Sequence, residues 1–201
     1  MNTVKNNKVI IGITGGIASG KSAVSTYLAK KGYVVIDADN IVSSLYEDES
    51  FKNELEGLFG TSKKVDIRNK VFYDEHARSI LEKIIHPYVY KEIDYQINEK
   101  YIFDKIIFLD IPLLFETKYE SNCDEVILVY TSADKQIDRI KKRNNLNEET
   151  IKNIISSQDS TSSKLLKASF KVRNSYSYSN LYKNVDKILD TIIKKYHLVK
   201  N

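Results

Sequence analysis

Apolar residues gather in short continuous runs along this chain. The first run, "KVIIGI" at 8–13, leads into glycines, and the second, "YVVI" at 33–36, leads into "DAD". Further runs are "KIIFLDI" at 105–111, "EVILVY" at 125–130 and the shorter "FKVR" at 170–173. Continuous apolar runs of this length are typical of strands that are buried on both faces of a parallel sheet.

Between these runs, apolar residues recur at helical spacing. Helices are expected at 21–31, at about 133–142, from about 151 to 155 and at about 179–196. Gly32 stands where a glycine commonly ends a helix. Strands that alternate with helices predict an α/β fold, with helices on both faces of a parallel sheet. Two Ser-rich stretches, 156–163 and 174–180, are predicted as loops or helix ends.

The region from about 41 to 101 differs, because it contains no comparable strand run. Its segment "HARSILEKIIHPYVYKEIDYQI" has helical period, and one face is marked by Ile80, Leu81, Ile84 and Ile85. We therefore predict a helical insertion between the second and third strands, placed at about 60–103. With 201 residues, 42% of them hydrophobic, the whole chain is expected to form a single cored domain.

Charge and cysteine content exclude several function classes. The net charge is only +4, basic and acidic residues are interleaved, and the longest basic run spans 141–143, so we expect no nucleic-acid partner. The single cysteine, Cys123, permits no internal disulfide, which is typical of a reducing cytosol. No apolar run approaches the roughly 20 residues of a membrane span. A cytoplasmic protein without a membrane partner is predicted.

The segment 15–22 matches the phosphate-loop pattern G-x-x-x-x-G-K-[ST]. Glycine permits the backbone angles that let loop amides surround a phosphate, and the following helix adds its positive N-terminal end. Lys21 is expected to reach the β and γ phosphates of ATP, and Ser22 to offer a hydroxyl to Mg²⁺. The residues predicted to bind the nucleotide here are Gly15, Gly16, Ile17, Ala18, Ser19, Gly20, Lys21, Ser22 and Ala23. The alternative is a strand-to-helix turn without a ligand.

Three classes of phosphate-loop protein compete for this pattern. A GTPase should carry N-K-x-D after a late strand, whereas "TSADK" follows "VILVY" here. A motor or transporter ATPase could use "IIFLD", but needs coupling segments for which the chain is short. A small-molecule kinase needs a compact core, an acceptor site over the loop and a basic lid, and the chain can supply all three.

Asp39 is the candidate for the acceptor side. It is predicted to end the second strand, at the edge where ligands of open α/β sheets bind, and to point the same way as Asp37. A carboxylate there can accept the proton of an attacking hydroxyl. The alternative is that Asp39 caps a helix that begins near Asn40.

Arg139 and Arg143 are the candidates for the lid. They are four residues apart and therefore share one helix face. A mobile arginine pair can close over ATP and stabilise the charge that develops during transfer. A solvated basic face is the alternative.

Taken in order, several motifs resemble one known family. They are "IGITGGIASGKS", "VIDAD", "RNKVF" (68–72), "IIHP" (84–87), "DIPLLFE" (110–116), Gln136-x-x-Arg139-x-x-x-Arg143 and Gln158. Together they span nearly the whole chain and resemble the dephospho-coenzyme A kinases. The resemblance implies phosphorylation by ATP of the 3′-hydroxyl of dephospho-CoA, the last step of coenzyme A synthesis. It also implies a P-loop kinase core with five parallel strands, a helical CoA-binding insertion and a lid at about 139–158.

The same resemblance implies roles for individual residues. Asp39 becomes the general base, and Arg139 and Arg143 become lid contacts to ATP. Arg68 and His86, which precedes Pro87, fall on the CoA side, while Pro112 and Leu113, in the stretch that ends at Glu116, shape the wall beside the acceptor. Asp110 is a candidate to hold Mg²⁺ through water, and Asn174 lies on the adenine side.

The chain departs from the family pattern at three positions. Ala18 stands where the family usually has glycine, and Ser169 and Tyr176 replace an aspartate and a glycine near the adenine side. Two other functions stay open: a kinase for another small acceptor, such as a nucleoside monophosphate, and a nucleotide-binding protein without catalysis. A monomer or weak homo-oligomer is expected.

Overall fold

The computed structural model describes residues 8–144 and 148–198. The chain divides into two compact units. The first contains Met1–Ile36 and Phe103–Asn201, and the second contains Asp37–Ile102.

The first unit is built on a five-stranded sheet. Its strands are β1 (Val9–Thr14), β2 (Val34–Asp37), β3 (Ile106–Asp110), β4 (Glu125–Tyr130) and β5 (Phe170–Arg173). They lie in the order β2-β3-β1-β4-β5, and β1 pairs in parallel with both β3 and β4, while β5 pairs in parallel with β4. Each apolar run predicted as a strand forms one, because these residues are buried in the middle of an α/β layer structure.

Nine α-helices lie in the described residues. They are α1 (Lys21–Lys30), α2 (Ala38–Leu45), α3 (Glu49–Phe59), α4 (Lys64–Tyr73), α5 (Glu75–Tyr95), α6 (Ala133–Asn144), α7 (Glu148–Ser156), α8 (Thr161–Lys167) and α9 (Tyr178–Lys195). The four helices predicted around the strands are confirmed as α1, α6, α7 and α9. The Ser-rich stretch 156–163 holds the end of α7 and the start of α8, where the Ser160 hydroxyl accepts the Ser163 N–H at 3.1 Å. In the described part of the chain, no helix combines the length and apolar character that crossing a membrane requires.

The main core of the first unit lies between the sheet and helices α1 and α9. Alternate residues of the strands face these helices, so Ile11 and Ile13 of β1 belong to this core. The helical members are Val24, Leu28, Leu181, Val185, Leu189, Ile192 and Ile193. Strand β1 is therefore held at the centre of the sheet by neighbouring strands and by the core, so the loop that follows it starts from a fixed position.

The second unit is helical and has a core of its own. Phe51, Leu55 and Phe59 of α3 and Ile67 of α4 are buried together. The face predicted on α5 packs against them through Ile80, Leu81, Ile84 and Ile85, which confirms the helical period read from the sequence. A π-helical turn over Gln96–Lys100 continues α5. Whether this unit is the substrate-binding insertion stays a prediction.

Glu125, at the start of β4, anchors the C-terminal end of α9. Its carboxylate is buried, pairs with Lys195 and accepts the Tyr196 hydroxyl at 3.0 Å. Ser169, one of the departures from the family pattern, contributes here, because its hydroxyl accepts the Val126 N–H at 3.2 Å. Burial raises the pKa of Glu125, but hydrogen bonds from Lys195, Ser169 and Tyr196 outweigh it and leave the pKa below its ordinary value.

This lowered pKa predicts a loss of stability in acid. A carboxyl whose folded-state pKa lies below the unfolded value of 4.5 stabilises the fold above that pH, and the contribution is lost as the pH falls through the folded pKa. We expect Glu125→Gln to be less stable than the wild type at pH 7, and the difference to shrink below about pH 4. Urea unfolding of both proteins at pH 3.5, 5 and 7 measures this difference in the free energy of unfolding. A difference that is constant with pH would contradict the lowered pKa of Glu125.

Candidate active site

The loop between β1 and α1 has the geometry of an anion-binding turn. It leaves β1 after Thr14 and enters α1 at Lys21, and the Ser19 N–H donates to the Gly16 carbonyl at 3.0 Å. Gly20 caps α1 with a φ of 98°, and Ala18 has a φ of 56°. A β-carbon disfavours this left-handed region, which explains why glycine is usual at the position of Ala18. The N-terminal end of a ten-residue helix thus meets the loop amides.

Side chains from α6 hold the carbonyl groups of this loop. The Gln136 amide donates to the Ile17 carbonyl at 2.7 Å, and the Arg139 guanidinium donates to the carbonyls of Ala18 and Ser19 at 3.0 and 3.2 Å. In a planar trans peptide the N–H points away from the carbonyl. Fixing these carbonyls towards α6 therefore turns the N–H groups of Ala18 and Gly20 to the opposite side, where a phosphate can bind.

Asn174, at the end of β5, completes this support. Its side-chain amide donates to the Ser19 carbonyl at 2.8 Å, and its own carbonyl accepts from Arg139 at 3.1 Å. A Cβ atom at Gly20 would collide with the Asn174 side chain. The sequence pattern placed Arg139 and Asn174 on the nucleotide side, and the structure brings both to the phosphate loop.

Gly20→Ala tests this close approach. The methyl group would displace the buried Asn174 amide and force a left-handed alanine, so we expect ATP affinity to fall by about tenfold or more, measured by calorimetry. Gly57→Ala in α3 is the matched control, because a Cβ atom there meets nothing within 4 Å. It should keep wild-type ATP affinity and gain up to about 1 kcal/mol of stability. Equal ATP affinity in both variants would contradict the role of Gly20.

Lys21 forms an ion pair with Asp110. Lys21 is the first residue of α1, and Asp110 is the last residue of β3 and is 2% exposed. A buried carboxylate needs such a partner, because leaving it unpaired would cost several kcal/mol. The pair places the lysine ammonium at the carboxyl end of the sheet beside the loop.

The segment after β3 runs along the end of β1. The Pro112 carbonyl accepts the Thr14 hydroxyl at 2.9 Å, and Leu114 is fully buried against Gly12. A Cβ atom at Gly12 would lie 2.7 Å from the Leu114 Cδ2 atom, so a larger residue there would displace the Leu114 side chain. Leu113, between them, is 38% exposed. In the segment predicted to line the acceptor site, the backbone is thus fixed and the Leu113 side chain is exposed.

Asp39 does not end the second strand, and that prediction was wrong. Strand β2 ends at Asp37, and Asp39 lies in the first turn of α2. The reason is that the Asp37 carboxylate caps α2, accepting the N–H groups of Asp39 and Asn40 at 2.8 and 3.2 Å. The cap therefore belongs to Asp37, and Asp39 is an exposed carboxylate in the second unit.

The other predicted residues are distributed over both units. In the second unit, Arg68 is exposed on α4, and His86 is half-buried on α5 with its ring stacked on Tyr90 at a centroid distance of 5.6 Å. In the first unit, Ser22 is exposed in the first turn of α1, next to the partly buried Ala23. Arg143 belongs to α6, but its side chain lies outside the described part of the structure.

Two features of the site were not predicted from the sequence. Gln136 and Gln158 were noted only as family motif residues, yet both contact the loop, and Gln158 accepts the Ile17 N–H at 3.1 Å. Lys164 was missed, although it is almost fully buried. Tyr176, the third departure from the family pattern, is 73% exposed near Lys135.

Comparison with known proteins identifies the family. A model of the dephospho-CoA kinase family matches residues 9–180. The chain belongs to the dephospho-CoA kinase family. A curated dephospho-CoA kinase from Fusobacterium nucleatum is 39% identical over 195 residues, which is 92% of this chain and 98% of that protein. One from Bacillus cereus is 36% identical over 202 residues, covering 95% and 98%. Membership confirms the resemblance and makes the chain a kinase, which implies that it uses ATP.

Solved structures agree with this assignment. A dephospho-CoA kinase from Campylobacter jejuni has a TM-score of 0.65 at 27% identity, covering 92% of this chain and 98% of its own. A Thermus thermophilus protein has a TM-score of 0.80 at 28% identity, covering 92% and 97%. A shikimate kinase from Acinetobacter baumannii, at 16% identity and a TM-score of 0.53, shares the fold alone. The predicted P-loop kinase core with five parallel strands is confirmed.

Proposed function

We propose that the protein transfers the γ-phosphoryl group of ATP to the 3′-hydroxyl of dephospho-CoA, giving coenzyme A and ADP. The observation that carries this is the phosphate loop at 15–22, whose carbonyl groups are held by Gln136, Arg139 and Asn174 in a chain of this family. A loop fixed in this way loses little conformational freedom when it binds a triphosphate. This favours alignment of the γ-phosphoryl group with the attacking hydroxyl.

Lys21 is the proposed cation for the transferred group. Its ammonium lies at the start of α1, where the helix end and loop amides already favour negative charge. The buried Asp110 carboxylate keeps the side chain from swinging into solvent. A fixed positive charge stabilises the transition state more than a hydrated one, because it needs no reorganisation as charge develops.

The described residues offer oxygen ligands of the kind that Mg²⁺ prefers, but not a complete set of protein ligands around one ion. Ser22 presents an exposed hydroxyl in the first turn of α1, and Asp110 ends β3 in the same unit. In the described residues, no three acidic, histidine or cysteine side chains cluster as a metal site. This donor set fits an ion that is held mostly by phosphates and waters, with Ser22 as a ligand and Asp110 acting through water. When bound, Mg²⁺ neutralises phosphate charge.

Asp39 is the proposed general base. Its carboxylate is exposed and follows the end of β2 by two residues, and the residue that caps α2 is Asp37. An ionised carboxylate can take the proton of the attacking hydroxyl during transfer.

The remaining assignments follow the family pattern. We propose Arg68 and His86, in the helical insertion at about 60–103, as contacts of dephospho-CoA, and likewise Pro112 and Leu113. We place ATP under a lid at about 139–158 that carries Arg143 and begins at Arg139, whose guanidinium holds the phosphate loop in this structure. We propose a cytoplasmic enzyme that acts as a monomer or weak homo-oligomer without nucleic-acid or membrane partners. The interleaved charges argue against a nucleic-acid partner, and the single cysteine is typical of the cytosol.

An acceptor screen tests the reaction. The purified protein is incubated with ATP and Mg²⁺ and with dephospho-CoA, a nucleoside monophosphate or shikimate as acceptor. We expect a product only with dephospho-CoA, with the mass of coenzyme A and a new 3′-phosphomonoester in the phosphorus NMR spectrum. Faster transfer to a nucleoside monophosphate would replace the proposed substrate. ATP binding without transfer to any acceptor would favour a non-catalytic protein.

A further inference from the structure

Lys164 is a buried lysine whose role the reaction does not explain. It lies in α8, is 1% exposed, and ranks with Phe51 and Phe108 among the largest fully buried side chains. A buried ammonium is costly unless it is paired. Its partner is Glu116, whose Oε1 atom lies 2.7 Å from the Lys164 Nζ atom. Lys164 and Glu116 therefore form a buried ion pair.

Glu116 fixes a segment of chain as well as the lysine. The same Oε1 atom accepts the backbone N–H of Asp159 at 3.1 Å. One carboxylate oxygen therefore holds both ends of the segment from Asp159 to Lys164. Glu116 itself belongs to the fixed stretch after β3, whose backbone is bound to the end of β1 through Pro112 and Thr14.

The residue just before this segment contacts the phosphate loop. Gln158 accepts the Ile17 N–H at 3.1 Å, while Gln136 donates to the Ile17 carbonyl at 2.7 Å. Both polar backbone groups of Ile17 are thus held by side-chain amides. A Cβ atom at Gly16 would lie 2.7 Å from the Gln136 Nε2 atom, so glycine makes room for the Gln136 side chain.

Direct packing between Lys164 and the loop is incomplete. A cavity of about 50 Å³ lies between them, and its lining includes Gly16, Ser19, Thr131, Gln158 and Lys164. The hydroxyls of Ser19 and Thr131 are buried and find no hydrogen-bond partner among the described residues. Because side chains do not fill this space, the position of the loop on this side depends on the hydrogen bond that the Ile17 N–H donates to Gln158.

We infer that the Glu116–Lys164 ion pair is a positioning device for the phosphate loop. The pair holds the segment from Asp159 to Lys164, this segment holds Gln158, and Gln158 fixes the backbone of Ile17. The effect on the reaction rests on the proposed function, since the loop is there to align ATP. Lys164 and Glu116 are positioning residues, because they act on the nucleotide through Gln158 and the loop.

Lys164→Met tests the pair, with Lys183→Met on the exposed face of α9 as the matched control. We expect Lys164→Met to lower kcat/KM for ATP by about tenfold, to leave KM for dephospho-CoA within twofold, and to speed hydrogen exchange of the Ile17 amide seen by NMR. Lys183→Met should change none of these. Lys164→Arg keeps a cation for Glu116 and should restore most of the ATP kinetics.

Two further variants keep the test decisive if Lys164→Met fails to fold. The double variant Glu116→Gln with Lys164→Met removes both charges, and Gln158→Leu removes only the acceptor for Ile17. Both should show the same faster Ile17 exchange and the same loss in kcat/KM for ATP. Adding Gln158→Leu to the double variant should lower kcat/KM for ATP little further. The reason is that Glu116, Lys164 and Gln158 all act through the hydrogen bond between Gln158 and the Ile17 N–H.

The outcomes separate this inference from the proposed function. Folded variants with unchanged Ile17 exchange and unchanged ATP affinity by calorimetry would overturn the inference, even if activity fell. A wild-type protein that does not phosphorylate dephospho-CoA would overturn the proposed function instead. Ile17 exchange and ATP affinity would still decide the inference in that case.

Discussion

Lys21→Ala is expected to lower kcat for phosphoryl transfer by about 10²-fold or more at saturating substrates. The substitution removes the fixed cation at the start of α1, where charge develops on the transferred group. It also leaves Asp110 buried without its partner, which could cost about 3–5 kcal/mol of stability. Steady-state ADP release measures kcat, and thermal unfolding shows whether the variant is folded at the assay temperature.

Two further variants separate the catalytic loss from the loss of stability. Adding Asp110→Asn to Lys21→Ala removes the unpaired charge and should recover stability without recovering kcat. Lys30→Ala, at the exposed end of the same helix, should stay within twofold of the wild type. A Lys21→Ala protein with kcat within twofold of the wild type would refute the phosphate-loop assignment.

Asp39→Asn is expected to lower kcat by about 10²-fold or more and to leave ATP affinity unchanged. An amide keeps the size of the side chain but cannot accept the hydroxyl proton. The stability cost should be below about 1 kcal/mol, because the side chain is exposed and the amide keeps its size. Calorimetry with ATP and single-turnover phosphoryl transfer separate binding from chemistry.

Asp37→Ala is the contrasting variant. It removes the carboxylate that caps α2 and should cost about 1 kcal/mol of stability. We expect its kcat to fall much less than that of Asp39→Asn. If Asp39→Asn instead lost stability while keeping its kcat, Asp39 would be structural and the base would have to be sought elsewhere.

The strands and most helices were predictable because their signals are local. A continuous run such as "VIIGI" in β1 is buried on both faces, and the spacing of Ile80, Leu81, Ile84 and Ile85 reports one buried helix face. The phosphate loop was equally clear, since glycine and lysine are needed there for local backbone and charge reasons.

The features that escaped prediction depend on contacts distant in sequence. Asp37 and Asp39 looked equivalent, and only the turn into α2 decides which one caps the helix. Lys164 lies in "TSSKLLK", a short polar helix that suggests exposure, and its burial depends on Glu116 far earlier in the chain. The hydrogen bonds of Gln136 and Gln158 to Ile17 likewise join positions more than 100 residues apart.

The most direct test of the central claim is ADP release from ATP and Mg²⁺ by the purified protein, with and without 3′-dephospho-CoA. The account predicts a rate that depends strongly on dephospho-CoA, with one coenzyme A formed for each ADP. A folded protein that binds ATP, yet releases ADP at the same rate with or without dephospho-CoA, would contradict it.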